Sequence, residues 1–213
     1  MLTKQQIEQN KDEFLRLISE IEIEDADTQG LVEFLDSNDF FTAPASTQYH
    51  AAYEGGLCQH SLNVYHNLVK LYEMNKGKVP EYSKNTLLVV ALLHDISKVN
   101  FYEKYVVNKK IYNEKGSKSD NMGKFDWFAE DAWKTKDAHD RFVFGTHAQN
   151  SLMLVGRFIP LDIEESCAIV NHHCNTNDSN VLYDQSAILE KYPLATLLHL
   201  ADMVSTFIDE RKN

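Results

Sequence analysis

LLVVALLHDISK, residues 87–98, is the stretch on which the fold turns. Its apolar run, Leu87 to Leu93, marks a segment bound for a core. An imidazole, a carboxylate and then an ammonium follow at once, as His94, Asp95 and Lys98. An ionised carboxylate held in an apolar setting is strongly destabilising unless it is paired. Asp202, in LLHLADMV, poses the same problem, and nearby Lys and Arg are too few to pair both. A divalent cation satisfies two carboxylates at once and takes neutral imidazoles as co-ligands.

Outward from this segment the chain reads mostly as helix. Apolar residues recur at helical spacing over 4–21, and a short helix fits 29–35. A longer helix runs from 57 to about 74, closed by Gly77 and Pro80. Further helices fit 82–94, 147–158, 162–173 and 193–210, the last with Pro193 in its first turn. The stretch 100–144 differs: FYEKYVV, KKIYNEK and KFDWFAE are rich in β-formers and aromatics, with turn residues between them. The expected fold class is therefore all-α, a helical bundle with a small β-hairpin insertion. Residues 1–213 are expected to form a single domain, with 1–47 as an N-terminal helical extension and 100–144 as the β-containing insertion.

The formal charge of −11 and pI near 5.2 oppose broad, non-specific binding to duplex nucleic acid. The longest apolar run is far short of the roughly 20 residues a membrane span needs. The N-terminal stretch lacks the apolar segment of a signal peptide. Cys58, Cys167 and Cys174 are odd in number and form no CxxC pair, which fits a reducing, cytoplasmic setting. The common nucleotide-binding, protease and esterase signatures are absent.

Five positions place His or Asp at helix ends or beside apolar stretches: His60 in GGLCQHSLNV, His94-Asp95, His147 in FGTHAQNS, His172-His173 in AIVNHHC, and Asp202. One such histidine alone is usually a satisfied core or boundary residue. Five together form a pattern. In this order His60, His94-Asp95 and Asp202 resemble the H…HD…D signature of the HD superfamily of metal-dependent phosphohydrolases, from about residue 48 onward. The chain is also similar to a bacterial and phage branch, related to the HD domain of 3′→5′ exoribonucleases, that adds two histidines. His147 and His172 match them, and YHAAYEGGL before His60 is similar to that branch too. The GYP motif of cyclic dinucleotide phosphodiesterases is missing, and no oligonucleotide-binding domain is recognisable in the 45 or so residues ahead of the HD-like region.

The resemblance implies a hydrolase of nucleotides or other small phosphate compounds, working through a metal-activated water. It implies one or two divalent transition metal ions (Mn, Fe, Co, Ni or Zn). His60, His94, Asp95 and Asp202 would hold the first, and His147 and His172 the second, with Asp95 bridging. Asp95 and Lys98 are the catalytic candidates. Lys98 reads either as a point charge for a phosphate or as a solvated helix-end lysine. His50, Ser151 and Arg141 are substrate-binding candidates, each with a structural alternative. His173 competes with His172, the two expected on different faces, and His199 is a runner-up ligand with a core role as its alternative. His66 and His139 read as structural or exposed, and a Cys/His nucleophile at Cys58 or Cys174 is disfavoured. Two other functions stay open. One is a nuclease on short single-stranded RNA or DNA, using the lysines and aromatics of 100–144. The other is a non-catalytic HD-fold binding or signalling module. The sequence leaves the oligomeric state open.

Overall fold

The computed structural model describes residues 1–143, 145–173 and 179–211, and of 179–184 the backbone alone. Cys174 lies outside the described residues. The chain begins with α1 (Lys4–Ile18) and α2 (Thr28–Asp36), followed by irregular turns and then α3 (Gly56–Asn75) and α4 (Lys84–Leu93). Side-chain caps start several of these helices. Thr3 and Gln6 form a capping box on α1, Asp27 accepts from Gly30 N on α2, and Ser83 accepts from Thr86 N on α4.

Helix α4 carries the apolar run. Every residue from Leu87 to Leu93 is buried, so the helix is apolar all round and lies inside the bundle against α3, α6 and α1. It stops at Leu93, and a separate 3-10 turn, Ile96–Lys98, follows. Buried side chains from Phe14, Leu17 and Ile18 of α1 and Leu31 and Leu35 of α2 join the same core as α4. The N-terminal helices thus form one side of that core.

All-α is too coarse a description. Residues 102–135 form a three-stranded antiparallel sheet in the order β1-β3-β2, built from β1 (Tyr102–Tyr112), β2 (Lys118–Asp120) and β3 (Gly123–Thr135). The two long strands pair from Tyr102↔Thr135 to Tyr112↔Phe125, which makes a twisted ribbon larger than a small hairpin. At its root, Tyr102 Oη donates to Ala45 O at 3.2 Å, and Lys104 pairs with Glu54 at 2.7 Å.

The chain returns through α5 (His147–Val155), α6 (Ile163–Asn171), α7 (Ser179–Lys191) and α8 (Pro193–Val204). Helix α7 is absent from the sequence reading, because SNVLYDQSAILEK carries too few apolar residues at helical spacing to signal it. The single helix expected over 193–210 is two pieces. Helix α8 ends at Val204 and continues as a π-helical turn, Ser205–Asp209, at which Ser205 Oγ donates back to Ala201 O.

The glycine pair before α3 has separable roles. Gly55 takes the left-handed conformation (φ 79°) as N-cap. Gly56 lies against the backbone of the preceding turn, where an added Cβ would stand 2.0 Å from Ala51 O. Gly56→Ala is expected to destabilise the fold by about 1–3 kcal/mol, the usual range for overpacking. Thermal unfolding of the variant measures this, and an unchanged Tm would contradict the packing account.

Candidate metal centre

The candidate ligands come from five helices whose ends or faces meet at one point. Three of them are delivered by helix termini. His94 is the C-cap of α4 and His172 the C-cap of α6, and each turns its Nδ1–H back to the carbonyl three residues earlier. His94 donates to Ala91 O at 2.8 Å and His172 to Ile169 O at 2.6 Å. These bonds satisfy carbonyls that a helix end leaves without a partner. They also place the proton on Nδ1 and leave Nε2 as a bare lone pair. His147 is the first residue of α5, behind a capping box of Thr146 and Gln149. His60 projects from α3 and Asp202 from α8.

Asp95 sits in the middle, fully buried. Its Oδ2 faces His94 Nε2 at 3.4 Å and His60 Nε2 at 3.7 Å. Its Oδ1 faces His172 Nε2 at 3.6 Å and His147 Nε2 at 3.8 Å. Oδ2 is ion-paired with the Lys98 ammonium at 2.7 Å, and Oδ1 has no hydrogen-bond partner. A buried carboxylate left in this state is costly.

The spacing of the donors fits a cation. Two ligands about 2.0–2.1 Å from one ion at the tetrahedral angle stand about 3.3 Å apart. His60 Nε2 lies 3.3 Å from His94 Nε2 and 3.2 Å from Asp202 Oδ1. His147 Nε2 lies 3.3 Å from His172 Nε2. Two groups able to hold an ion result. One comprises His60, His94 and Asp202; the other comprises Asp95, His147, His172 and His173. A third group, His50, His60 and Glu210, shares His60 with the first.

Electrostatics support the same division. Burial pushes His94 down, and burial pushes His147 to about 4 and His173 to about 3, so all three imidazoles are neutral at neutral pH. Burial opposes charge on Asp95, yet Lys98 and His94 hold it well below the usual carboxylate range. Asp202 is likewise held low, burial being outweighed by its hydrogen bond to His60. His60 is the exception among the imidazoles. Burial lowers it, but Glu210 and Asp202 together raise it to about 10.

A model of the HD domain family matches residues 57–206, more than half of the chain. The chain belongs to the HD domain family. Members of this family are in general metal-dependent hydrolases. Comparison with curated proteins and with solved structures gives no match.

The HD-domain chain brings together His60, His94, Asp95, His147, His172 and Asp202, and it revises several neighbours. His173 does not point to a face different from His172. Helix α6 ends at Asn171 with His172 as its C-cap, and His173 Nδ1 comes within 3.4 Å of Asp202 Oδ2. His199 falls in none of the three groups among the described residues; its Nδ1–H donates to His172 O at 2.6 Å and braces that turn. Lys98 is not a solvated lysine: it is 8% exposed, and Asp95 outweighs burial to raise it. Ser151 is fully buried, with its hydroxyl engaged by Ser97. It accepts from Ser97 N at 3.2 Å and donates to Ser97 Oγ at 3.0 Å, while Ser97 Oγ donates to His147 O at 2.8 Å. This chain of bonds ties the start of α5 to the turn after Asp95 and positions His147, so substrate contact is not its place. Arg141 stacks on Phe101, 4.4 Å from the ring centroid, near the base of the ribbon. The His50 ring lies 4.9 Å from that of His60, and its Nε2 is buried without a hydrogen-bond partner. His66 pairs with Glu13 at the surface and His139 is exposed, as expected. Burial pushes the Cys58 thiol far up, and its Sγ faces Asn10 O, which leaves no activated thiol there. Glu210 went unread, because only the π-turn brings it to His60.

In metal-stripped protein at about pH 8, His60 holds a proton that an incoming metal ion must displace, while His94 and His147 are already neutral. Metal uptake is therefore expected to release about one proton per chain at that pH. Calorimetric titration in two buffers of different ionisation enthalpy measures it, and uptake with no proton release would contradict ligation by His60.

Proposed function

We propose that the chain is a metal-dependent phosphohydrolase that cleaves a phosphoester of a nucleotide or other small phosphate compound. The observation that carries this reading is Asp95. Each of its buried oxygens faces a pair of imidazole Nε2 atoms, and Lys98 is ion-paired with one of the two oxygens. The residues present fit one or two divalent transition metal ions with mixed nitrogen and oxygen ligation, such as Mn, Fe, Co, Ni or Zn. When bound, such ions acidify a water to supply a nucleophile at neutral pH and neutralise charge on phosphoryl oxygens.

The chain's own residues then do the following. His94 and His172, with Nδ1 committed to backbone carbonyls, offer Nε2 lone pairs in fixed directions. Asp95 presents one oxygen to each imidazole pair and so links the two groups. His147 and His173, with side chains 30% and 38% exposed, form the solvent-open side, where a substrate can approach. His60, His94 and His172 close the other side. Lys98 sets its ammonium at the oxygen that also faces His60 and His94, a fixed positive charge on the closed side of the centre. Three buried carboxylates, Asp95, Asp202 and Glu210, meet two buried positive groups, Lys98 and the protonated His60. Such a centre stays short of positive charge until it takes up cations, and with them it suits an anionic substrate.

A nuclease reading draws on the exposed rings of Tyr105, Trp127 and Phe128 on the ribbon. The ribbon's charge weighs against it. Lys104 is paired with Glu54, Lys109 with Glu130 and Lys110 with Asp120, which leaves little net positive field for a nucleic-acid backbone. The complete ligand set weighs against a non-catalytic module.

Chelator-stripped protein is expected to lose hydrolysis of bis-p-nitrophenyl phosphate and of nucleotides, and to regain it with Mn²⁺, Ni²⁺ or Co²⁺. Asp95→Ala is expected to lower kcat by about 10³-fold or more, beyond the effect of losing a single stabilising donor, while circular dichroism shows the helices intact. Full activity in Asp95→Ala, or activity indifferent to chelator, would overturn the reading.

A further inference from the structure

The histidines of the centre are not braced alike. His94 and His172 each donate Nδ1–H to a neutral backbone carbonyl of their own helix. His60 Nδ1 instead meets a buried carboxylate, with Glu210 Oε1 and Oε2 both at 3.1 Å. The Glu210 side chain is 2% exposed, and Asn63 Nδ2 donates to its Oε1 at 2.9 Å. Both the imidazole and the amide come from α3, three residues apart on one face.

We infer that Glu210 is a positioning residue that makes the His60 side of the centre the tighter metal site. The inference rests on the metal-centre reading above. A carboxylate on Nδ1–H does two things that a carbonyl does less strongly. It fixes the tautomer with Nε2 free, and it raises the electron density that Nε2 offers to a cation. The group of His60, His94 and Asp202 has this support. Among the described residues, His147 and His172 show no carboxylate at the nitrogen turned away from their group, and His172 Nδ1 meets only the Ile169 carbonyl.

The fold goes to some length to place Glu210. It lies beyond residues 57–206 and reaches His60 because the chain leaves α8 through the π-turn Ser205–Asp209. A polar seam holds that turn on α3: Asn67 Nδ2 donates to Ser205 Oγ at 2.9 Å and to Asp209 Oδ2 at 2.7 Å. Glu210 N donates to Ser205 O at 3.0 Å and closes the turn. Asn63 and Asn67 therefore clamp, from one helix face, the segment that ends in the carboxylate.

The test is a titration of chelator-stripped full-length protein with Mn²⁺, following free Mn²⁺ by electron paramagnetic resonance, on wild type, Glu210→Gln, Glu210→Ala and Asp209→Asn. Two classes of Mn²⁺ site are expected in wild type. Glu210→Gln keeps an acceptor for Nδ1–H and loses the charge; the tighter class is expected to weaken about 10-fold, and in Glu210→Ala about 100-fold, the range seen when such partners are removed. The weaker class should stay within about twofold of wild type in both variants. Asp209→Asn keeps an acceptor for Asn67 and keeps the Glu210 carboxylate, so it should weaken the tighter class by less than Glu210→Gln does and leave the weaker class unchanged. If Glu210→Ala fails to fold, the near-isosteric Gln variant carries the comparison. Loss of affinity in both classes alike, an equal loss in Asp209→Asn, or wild-type affinity in Glu210→Gln would overturn the inference alone. Wild-type protein that binds no Mn²⁺ would overturn the metal-centre reading together with it.

Discussion

The structure depends on keeping Asp95 ionised and fully buried. Its backbone is the continuation of α4, the most enclosed helix of the bundle, so it cannot turn outward without taking the core with it. Everything around it answers that constraint. Lys98 supplies one positive charge through a short 3-10 turn, and the imidazoles arrive from α3, α5 and α6 with their lone pairs directed at its two oxygens. A buried carboxylate ringed by imidazole nitrogens suits a ligand role, because a cation between these donors satisfies the carboxylate and the imidazoles together.

The helix ends do double duty. A helix terminus must satisfy its last carbonyls in any case, and in α4 and α6 the C-cap histidine does so with Nδ1. The same bond orients Nε2. Site geometry is therefore written into ordinary helix capping, and the ligands are held by elements that already pack the core. The Ser97–Ser151 link extends this to His147, whose own helix begins at the site. The result is a rigid inner side and an open outer side, with the loop 45–54 and the root of the ribbon beside the centre.

Much of this was legible in the sequence because it rests on local signals. The run Leu87–Leu93 announced a buried helix, and the charged residues at its end announced a ligand site. The helices over 4–18, 56–75 and 163–171 follow apolar periodicity closely. What escaped lies where tertiary contacts decide. His173 joins the centre because α6 stops two residues earlier than its pattern suggests. Glu210 is an ordinary acidic residue near the end of an amphipathic stretch until a π-turn rotates it onto His60. Ser151 and His199 sit close to ligands in sequence and space, and the Ser151 hydroxyl and His199 Nδ1–H make bonds that brace the site. Helix α7 carries too sparse an apolar pattern to be read alone. Lys98 was ambiguous because its environment depends on whether α4 continues, and it does not.

The central claim is that the cluster around Asp95 would hold divalent cations. Anomalous diffraction at the absorption edge of the bound metal, on crystals of protein loaded with Mn²⁺, tests it most directly. The account predicts two peaks, one between Asp95 and the His60, His94 and Asp202 group, the other between Asp95 and the His147 and His172 pair. No peak within this cluster, or a peak only at some other carboxylate-rich surface, would contradict it.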